Sequence, residues 1–295
     1  MINIKTYKCD GPFLQIFRIF RRNGIKMFQN SLHDCIMRII DGLLQDRGVM
    51  EDRFIRAIKI DWDKIEPDSY LRDIPALKGL EELTFDHNIT FFVGENGSGK
   101  STLIEGIAVA YGFNAEGGTK NYRFSTYESH SKLYEAVSVI KGFKRPKGNY
   151  FLRAESFYNV ASKTEDYRDG DLAKIYYARY GGKSLHEQSH GESFLALVKG
   201  NFTDHGIYIL DEPEAALSPQ RQLTLLMEVD RLSKLGSQFI IASHSPILLG
   251  IPGAQILSFD DGGIHPCEYQ DTESYQVTEM FINNREYFLK RLLDS

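Results

Sequence analysis

Residues 94–102 combine glycines, one lysine and hydroxyl side chains at a spacing that suits phosphate binding. They fit the pattern G-x-x-x-x-G-K-[ST], in which glycines let backbone N–H groups turn toward phosphate oxygens and the lysine adds a positive charge. The expected nucleotide-binding residues are Gly94, Glu95, Asn96, Gly97, Ser98, Gly99, Lys100, Ser101 and Thr102. We expect the Ser101 hydroxyl also to bind the Mg²⁺ that accompanies a nucleoside triphosphate.

The segments on either side of this loop supply the context that the pattern requires. Residues 89–93 are apolar and rich in β-branched side chains, which predicts a buried parallel strand, and residues 102–111 predict a helix. A helix that begins at the loop directs its N-terminal N–H groups and the positive end of its dipole toward the phosphates. The sequence therefore predicts a strand, loop and helix unit that binds a nucleoside triphosphate.

Two carboxylates follow a second apolar strand, predicted at residues 206–210. Asp211 is expected to hold Mg²⁺, directly or through water, and Glu212 to orient or deprotonate the attacking water. A pair of acids at a strand end is weak evidence by itself, but here it follows a phosphate loop in the same chain. We therefore predict hydrolysis of the nucleotide, with Asp211 as a metal ligand and Glu212 as a catalytic residue.

A third apolar strand is predicted at residues 238–242 and ends close to His244. Ligands of open α/β sheets bind at the carboxyl ends of the parallel strands. A histidine in that position can contact the γ-phosphate, so we predict His244 as a second catalytic residue. A purely structural histidine is the alternative.

The composition is that of a globular protein, with no strong overall preference for a polyanionic partner. The 295 residues carry a formal net charge of −5, with 42% hydrophobic and 25% charged residues. Cys9, Cys35 and Cys267 show no C-x-x-C spacing, so neither a disulfide framework nor a zinc site is indicated, and a cytoplasmic setting is expected. No apolar run approaches the ~20 residues of a membrane span, so a partner would have to supply any membrane anchor.

We predict an N-terminal extension at residues 1–50 and a catalytic domain at residues 51–295. Apolar residues at helical spacing within 31–44 indicate that the extension is partly helical, either packed on the domain or presented to a partner or a membrane surface. The domain is predicted to begin with a strand at 54–60 and to contain a helix at 133–141.

Tyr70 lies upstream of the phosphate loop. An aromatic ring in that region can stack on adenine, although an ordinary loop tyrosine is the simpler interpretation.

Residues 188–192 complete a set of motifs that is similar to the ABC-type ATPases. Q-S-H-G-E at these positions resembles the signature L-S-G-G-[QE], and Ser189 precedes Asp211 by the separation usual in that family. Residues 214–218 look like its D-loop. The resemblance implies an α/β P-loop NTPase fold of ABC-ATPase type, with a mostly parallel central sheet flanked by helices and a small helical lobe.

From about residue 52 to residue 293, the chain closely resembles a group of small stand-alone bacterial ATPases. The shared phrases are G-F-N-A-E-G-G, F-L-R-A-E-S-F, S-L-H-E-Q-S-H-G-E-S-F and D-E-P-E-A-A-L-S-P-Q-R-Q.

The sequence also departs from the ABC pattern. Gln188 and His190 replace the Leu and the first Gly of the signature, and Ser218 replaces the last Asp of the D-loop. No glutamine occurs between Lys100 and Gln188, so the Q-loop residue is missing in the form that transporters use. Glu155, at the end of a predicted strand, is the candidate substitute as a metal ligand, and a salt bridge within the lobe is the alternative.

The resemblance implies a composite site in which two protomers face each other head to tail around ATP and Mg²⁺. The phosphate loop of one protomer and the signature of the other would enclose the nucleotide, so Ser189 and Gly191 are expected nucleotide-binding residues. The helix N-terminus after them is a second anion site in one chain, which a neighbour's γ-phosphate would explain. This interpretation predicts an ATP-hydrolysing, ATP-dependent homodimer that acts on an unidentified partner.

Other functions fit parts of the pattern. A DNA-repair or DNA-binding ATPase resembling RecF and SMC proteins would need a basic face. The candidate residues for that face are Lys120, Arg123, Lys141, Lys144, Arg145 and Lys147, and a solvated loop is the alternative. An energising subunit of an ABC transporter is disfavoured by the missing Q-loop glutamine and by Glu192 in the signature, and a non-hydrolysing nucleotide switch by the intact Glu212.

Overall fold

The computed structural model describes residues 53–120, 131–154 and 188–293. The strands in these ranges are β1 (Ile55–Ile60), β2 (Glu82–Thr84), β3 (Ile89–Val93), β4 (Val137–Lys141), β5 (Asn149–Arg153), β6 (Ile207–Asp211), β7 (Gln238–Ala242), β8 (Gln255–Ser258) and β9 (His265–Pro266). The α-helices are α1 (Lys100–Tyr111), α2 (Leu133–Ala136), α3 (His190–Asn201), α4 (Pro219–Lys234), α5 (Pro246–Leu249), α6 (Glu273–Asn283) and α7 (Arg285–Leu293). Short 3-10 helices lie at Trp62–Lys64, Tyr70–Asp73, Pro213–Ala216 and Tyr269–Asp271.

The central sheet has six strands in the order β5-β6-β7-β3-β8-β9. All neighbouring pairs are parallel except β8 and β9, which are antiparallel. Every residue of β3, β6 and β7 is buried, because helices cover both faces of a parallel sheet. The predicted α/β fold with a mostly parallel central sheet is confirmed, and α1 begins two residues earlier than the sequence indicated.

Side chains of the central strands alternate between two hydrophobic cores, as the pleat of a strand requires. On β6, Ile207 and Ile209 point into the core that contains α1 and the small sheet described below. Tyr208 and Leu210 point into the opposite core, which contains α3 and α4. The carboxyl ends of β3, β6 and β7 are therefore fixed from both sides.

A second sheet of three antiparallel strands has the order β2-β1-β4. The buried side chain of Gln238, at the start of β7, links it to the central sheet. Its Oε1 atom accepts from the backbone N–H groups of Phe54 and Ile55, both at 2.9 Å, and its Nε2 atom donates to the Ile55 carbonyl at 2.8 Å. One amide thus satisfies three backbone groups that the joint between the sheets would otherwise bury without partners.

The predicted helix at residues 133–141 is wrong beyond its first turn. Only Leu133–Ala136 are helical, and Val137–Lys141 form β4, which pairs with β1. Three of these five residues are Val or Ile, which fit a pleated, half-buried surface, and the unpaired edge of β1 is available to them. Pairing with a distant strand therefore overrides the local helical pattern.

The predicted N-terminal extension at residues 1–50 lies outside the described residues, as do residues 121–130 and 155–187 in the span between the phosphate loop and the signature. The domain boundary near residue 50 therefore stays a prediction. No helix among the described residues is both long and apolar enough to cross a membrane.

Candidate functional site

The phosphate-loop residues connect β3 to α1 through a backbone that glycine makes possible. Gly94, Gly97 and Gly99 have φ values of 137°, 84° and 101°, which side-chain-bearing residues rarely adopt. The Lys100 ammonium folds back into the loop and donates to the carbonyl oxygens of Gly94 and Glu95, both at 2.7 Å. The loop therefore surrounds a positive charge at the N-terminus of a helix.

Lys100 is almost completely buried, with 4% of its surface exposed. Burial lowers the pKa of its ammonium, and the carboxylates of Glu212, Asp260, Asp211 and Glu214 offset part of that shift. A phosphate bound in the loop would favour the charged form further, because it adds negative charge beside the ammonium.

The Ser101 and Asp211 side chains meet at the carboxyl edge of the sheet. Ser101 Oγ donates to Asp211 Oδ1 at 3.0 Å. Hydroxyl and carboxylate oxygens are the ligands that Mg²⁺ takes, with one or two protein ligands and the remaining positions filled by phosphates and water. The described residues contain no group of three or more His, Cys, Asp and Glu side chains that could hold a metal alone. The Ser101–Asp211 pair therefore fits Mg²⁺ that arrives with phosphate ligands.

Glu212 and His244 follow β6 and β7 and face each other at the same edge. His244 Nε2 lies 3.8 Å from Glu212 Oε1, and both side chains are partly exposed. The Glu212 backbone has a left-handed conformation, with φ 49° and ψ 52°, and its N–H group donates to the Ala242 carbonyl at 3.0 Å. A strained, non-glycine residue beside a phosphate loop is typical of a functional site.

The signature segment lies at the start of α3, where Ser189 and His190 are exposed. Ser189 is exposed at the N-cap, and the Glu192 carboxylate accepts from its N–H at 3.0 Å and its hydroxyl at 2.6 Å. A Cβ atom on Gly191 would lie 2.6 Å from Arg221 Nη1, so a side chain there would require the Arg221 side chain to move. Within the described part of the chain, no hydrogen bond or ion pair connects Ser189 or Gly191 to residues 94–102.

Glu155 lies outside the described residues, so its predicted role as a metal ligand stays a prediction. Tyr70 is exposed, with 59% of its surface accessible, at the start of a 3-10 helix.

Two lysines of the predicted basic face, Lys120 and Lys147, form local contacts. Lys120 Nζ donates to the Tyr111 carbonyl at 2.8 Å and lies 3.4 Å from the centre of the Tyr111 ring. Lys147 forms an ion pair with Asp204 at 3.0 Å. Arg123 lies outside the described residues. Lys141, Lys144, Arg145 and Lys147 are exposed, so the basic face stays a prediction.

The sequence interpretation missed polar residues that surround the site. Asp260 Oδ1 accepts from the N–H of Glu95 in the loop at 3.1 Å. Glu214 accepts from the His244 N–H at 2.5 Å, and burial raises the pKa of the Glu214 carboxyl. Asp260 follows the apolar strand β8 by two residues, a signal similar to the one that identified Asp211.

Two cavities border the loop. One of about 210 Å³ lies at the ends of β3, β7 and β8, where Gly94, His244 and Asp260 line it, and residues of α6 close it on another side. The other, of about 570 Å³, follows residues 95–98 and reaches Asp260. The loop therefore has open space beside it in which a ligand can be placed.

Comparisons with known proteins agree with these motifs. A family model described as "AAA domain" matches residues 70–190, and one described as "AAA domain, putative AbiEii toxin, Type IV TA system" matches residues 186–250.

Among curated proteins, the ribose import ATP-binding protein RbsA of Bacillus cereus is 26% identical over 186 residues, which cover 58% of this chain and 37% of RbsA. The energy-coupling factor transporter ATP-binding protein EcfA of Methanosphaera stadtmanae is 25% identical over 202 residues, which cover 64% of this chain and 72% of EcfA. The chain therefore spans little more than a third of the RbsA relatives that it matches.

Among solved structures, the SMC head domain from Thermotoga maritima aligns with a TM-score of 0.40 at 16% identity, over 73% of this chain and 99% of that one. The phosphate loop and the Asp211–Glu212 strand end, together with the family and sequence matches, support an ABC-type P-loop ATPase.

Proposed function

We propose that this chain binds ATP with Mg²⁺ at residues 94–102 and hydrolyses it in a head-to-tail homodimer, to drive a change in a partner. The observation that carries the proposal is the meeting of Ser101 with Asp211 beside the Glu212–His244 pair, at the edge of the sheet where the phosphate loop begins. Phosphoryl transfer depends mainly on positioning and on charge stabilisation, which this arrangement of residues can supply.

In the proposed mechanism, Lys100 exchanges its loop carbonyl partners for the β- and γ-phosphate oxygens. Ser101 and Asp211 would hold Mg²⁺, which would neutralise charge on those oxygens. Glu212 orients the attacking water and accepts its proton, while His244 donates to a γ-phosphate oxygen. Glu155 is proposed as a further metal ligand that acts through a metal-bound water.

The proposed dimer accounts for the signature segment. Ser189 is exposed at a helix N-terminus. Among the described residues, it forms no hydrogen bond with the phosphate loop of its own chain. We propose that Ser189 and Gly191 meet the γ-phosphate held by the second copy, which makes the closed dimer symmetric.

An energising role in transport is the second candidate, since the matched curated relatives are named as import or transporter ATP-binding proteins. The missing Q-loop glutamine and Glu192 in the signature favour a stand-alone cytoplasmic ATPase over a transporter subunit.

The proposal is tested by comparing Lys100→Ala with Glu212→Gln. Lys100→Ala should abolish binding of a fluorescent ATP analogue, because it removes the loop's positive charge. Glu212→Gln should retain binding and slow phosphate release by about 10²- to 10⁴-fold, the usual contribution of a positioned general base. Glu81→Gln, an exposed carboxylate before β2, is the matched control. Hydrolysis by Glu212→Gln at the wild-type rate would show that the general-base assignment is wrong.

A further inference from the structure

Arg153 is a mostly buried arginine next to the proposed metal ligands. It ends β5, and its Cα lies opposite that of Asp211 in the parallel β5–β6 pair. Its side chain is 18% exposed. Guanidinium Nη1 lies 2.6 Å from Glu105 Oε2, and Nε lies 3.7 Å from Asp211 Oδ2. One cation therefore lies beside two carboxylates.

Glu105 connects this arginine to the phosphate-loop helix. It lies on α1 one turn after Ser101, and its side chain is 10% exposed. Its second oxygen, Oε1, accepts from the backbone N–H of Ser131 at 2.9 Å. Arg153 thus contacts both the helix that carries Ser101 and the strand that carries Asp211.

The charges of this cluster decide which cation it can attract. A carboxylate pair in a poorly solvated site draws a divalent cation strongly, since charge interactions strengthen as the local dielectric constant falls. Arg153 offsets the negative charge of Glu105 and Asp211 and lies on the Oδ2 side of Asp211. With Arg153 present, one negative charge remains on these three side chains instead of two, and bound triphosphate oxygens add further negative ligands.

We propose that Arg153 is a positioning residue that keeps the Ser101–Asp211 pair from binding a divalent cation until a nucleoside triphosphate is bound. The inference rests on the proposed function, because it assigns Asp211 and Ser101 to the metal. Under this proposal, Arg153 makes metal binding at the Ser101–Asp211 pair depend on bound nucleotide. A merely structural arginine would instead join α1 to β5 and affect stability alone.

The test is a titration of nucleotide-free protein with Mn²⁺, with free Mn²⁺ measured by electron paramagnetic resonance. Arg153→Gln should bind Mn²⁺ at least about tenfold more tightly than wild type, a change of about 1.4 kcal/mol, because it removes a unit charge close to a poorly solvated carboxylate. Arg153→Lys keeps the charge and should bind as weakly as wild type. Arg231→Gln, which removes an exposed arginine of α4, is the matched control.

Adding Asp211→Asn to Arg153→Gln should remove the gain in Mn²⁺ affinity. That loss would show that the additional Mn²⁺ binds at Asp211. If Arg153→Gln does not fold, the Glu105→Gln/Arg153→Gln double variant answers the question, because it removes one buried charge of each sign. It should bind Mn²⁺ more tightly than Glu105→Gln alone.

A folded Arg153→Gln or double variant with no gain in Mn²⁺ affinity would overturn the inference. Wild-type binding of Mn²⁺ together with ATP is measured in parallel. If that binding is present and the gain is absent, only the role of Arg153 fails; if wild type binds no Mn²⁺ with ATP, the proposed function fails.

Discussion

Ser101 and Asp211 lie 110 positions apart in the chain, and Ser101 Oγ donates to Asp211 Oδ1 at 3.0 Å. Ser101 is in the first turn of α1, which follows β3, and Asp211 ends β6, while β7 lies between these two strands in the sheet. The contact therefore depends on the strand order and on the direction of the loop. It places a hydroxyl and a carboxylate where a phosphate-bound metal can reach both.

Ser101→Ala should weaken ATP binding only when Mg²⁺ is present. Removing the hydroxyl takes away a proposed metal ligand and leaves the loop amides and Lys100 in place. We expect at least a roughly tenfold loss of affinity with Mg²⁺, comparable to the loss of a metal-site partner, and little change in EDTA. Titration of a fluorescent ATP analogue under both conditions measures this difference. Ser138→Ala, on the exposed side of β4, is the control, and an equal loss in EDTA would contradict the metal role.

Gln238→Leu should destabilise the joint between the two sheets. The change leaves the N–H groups of Phe54 and Ile55 and the Ile55 carbonyl buried without the amide that now satisfies them. Each such group costs about 1–3 kcal/mol, so for the three groups we expect the free energy of unfolding to fall by about 3–9 kcal/mol. Urea denaturation measures this change.

The control for this prediction is Gln220→Leu on the exposed face of α4, which should change stability by no more than about 0.5 kcal/mol. Similar stabilities for the two variants would show that Gln238 does not hold the sheets together.

Much of this architecture follows from local patterns, and some of it does not. The strands at 89–93 and 238–242 and the strand that ends at Asp211 were predictable, because buried parallel strands are short, continuous apolar runs. The strand β4 was not, since its pairing with β1 depends on the tertiary fold.

The same limit applies to the polar contacts of the site. Arg153 contacts Glu105 only because β5 ends beside α1, and Glu214 contacts His244 only because β6 and β7 are neighbours. Residue types at a strand end can be identified in a sequence, whereas partners from separate segments become visible only when the strand order is known.

Lys120 should make stability depend on alkaline pH. Burial lowers the pKa of its ammonium from the ordinary 10.5 to about 8, and Lys141 contributes to the shift. Between pH 8 and 10.5 the unfolded chain holds this proton and the folded chain does not, so this group's contribution to stability rises with pH. Below pH 8 the folded protein carries the full cost of the buried charge.

Lys120→Met removes this titration. Its free energy of unfolding relative to wild type should therefore be higher at pH 7.5 than at pH 10, as measured by urea denaturation. Lys199→Met, an exposed lysine of α3, should show a constant difference from wild type. A Lys120→Met difference that does not change with pH would contradict the assignment.

The shared site is tested most directly by disulfide crosslinking between the phosphate loop and the signature. Ser98→Cys and Ser189→Cys are introduced into separate chains that carry Glu212→Gln to slow hydrolysis and have Cys9, Cys35 and Cys267 replaced by Ser. The two proteins are mixed with and without ATP and Mg²⁺, and products are separated on a denaturing gel. Each protein alone, and a mixture with Lys100→Ala added to both chains, are the controls.

The head-to-tail model predicts a covalent dimer that forms only in the mixture and only with ATP, because the signature of one copy then lies over the loop of the other. A third protein, with both cysteines in one chain, tests whether the bond can form within a single chain. An ATP-dependent bond within that single chain, or no bond between chains that have bound ATP, would contradict the shared site.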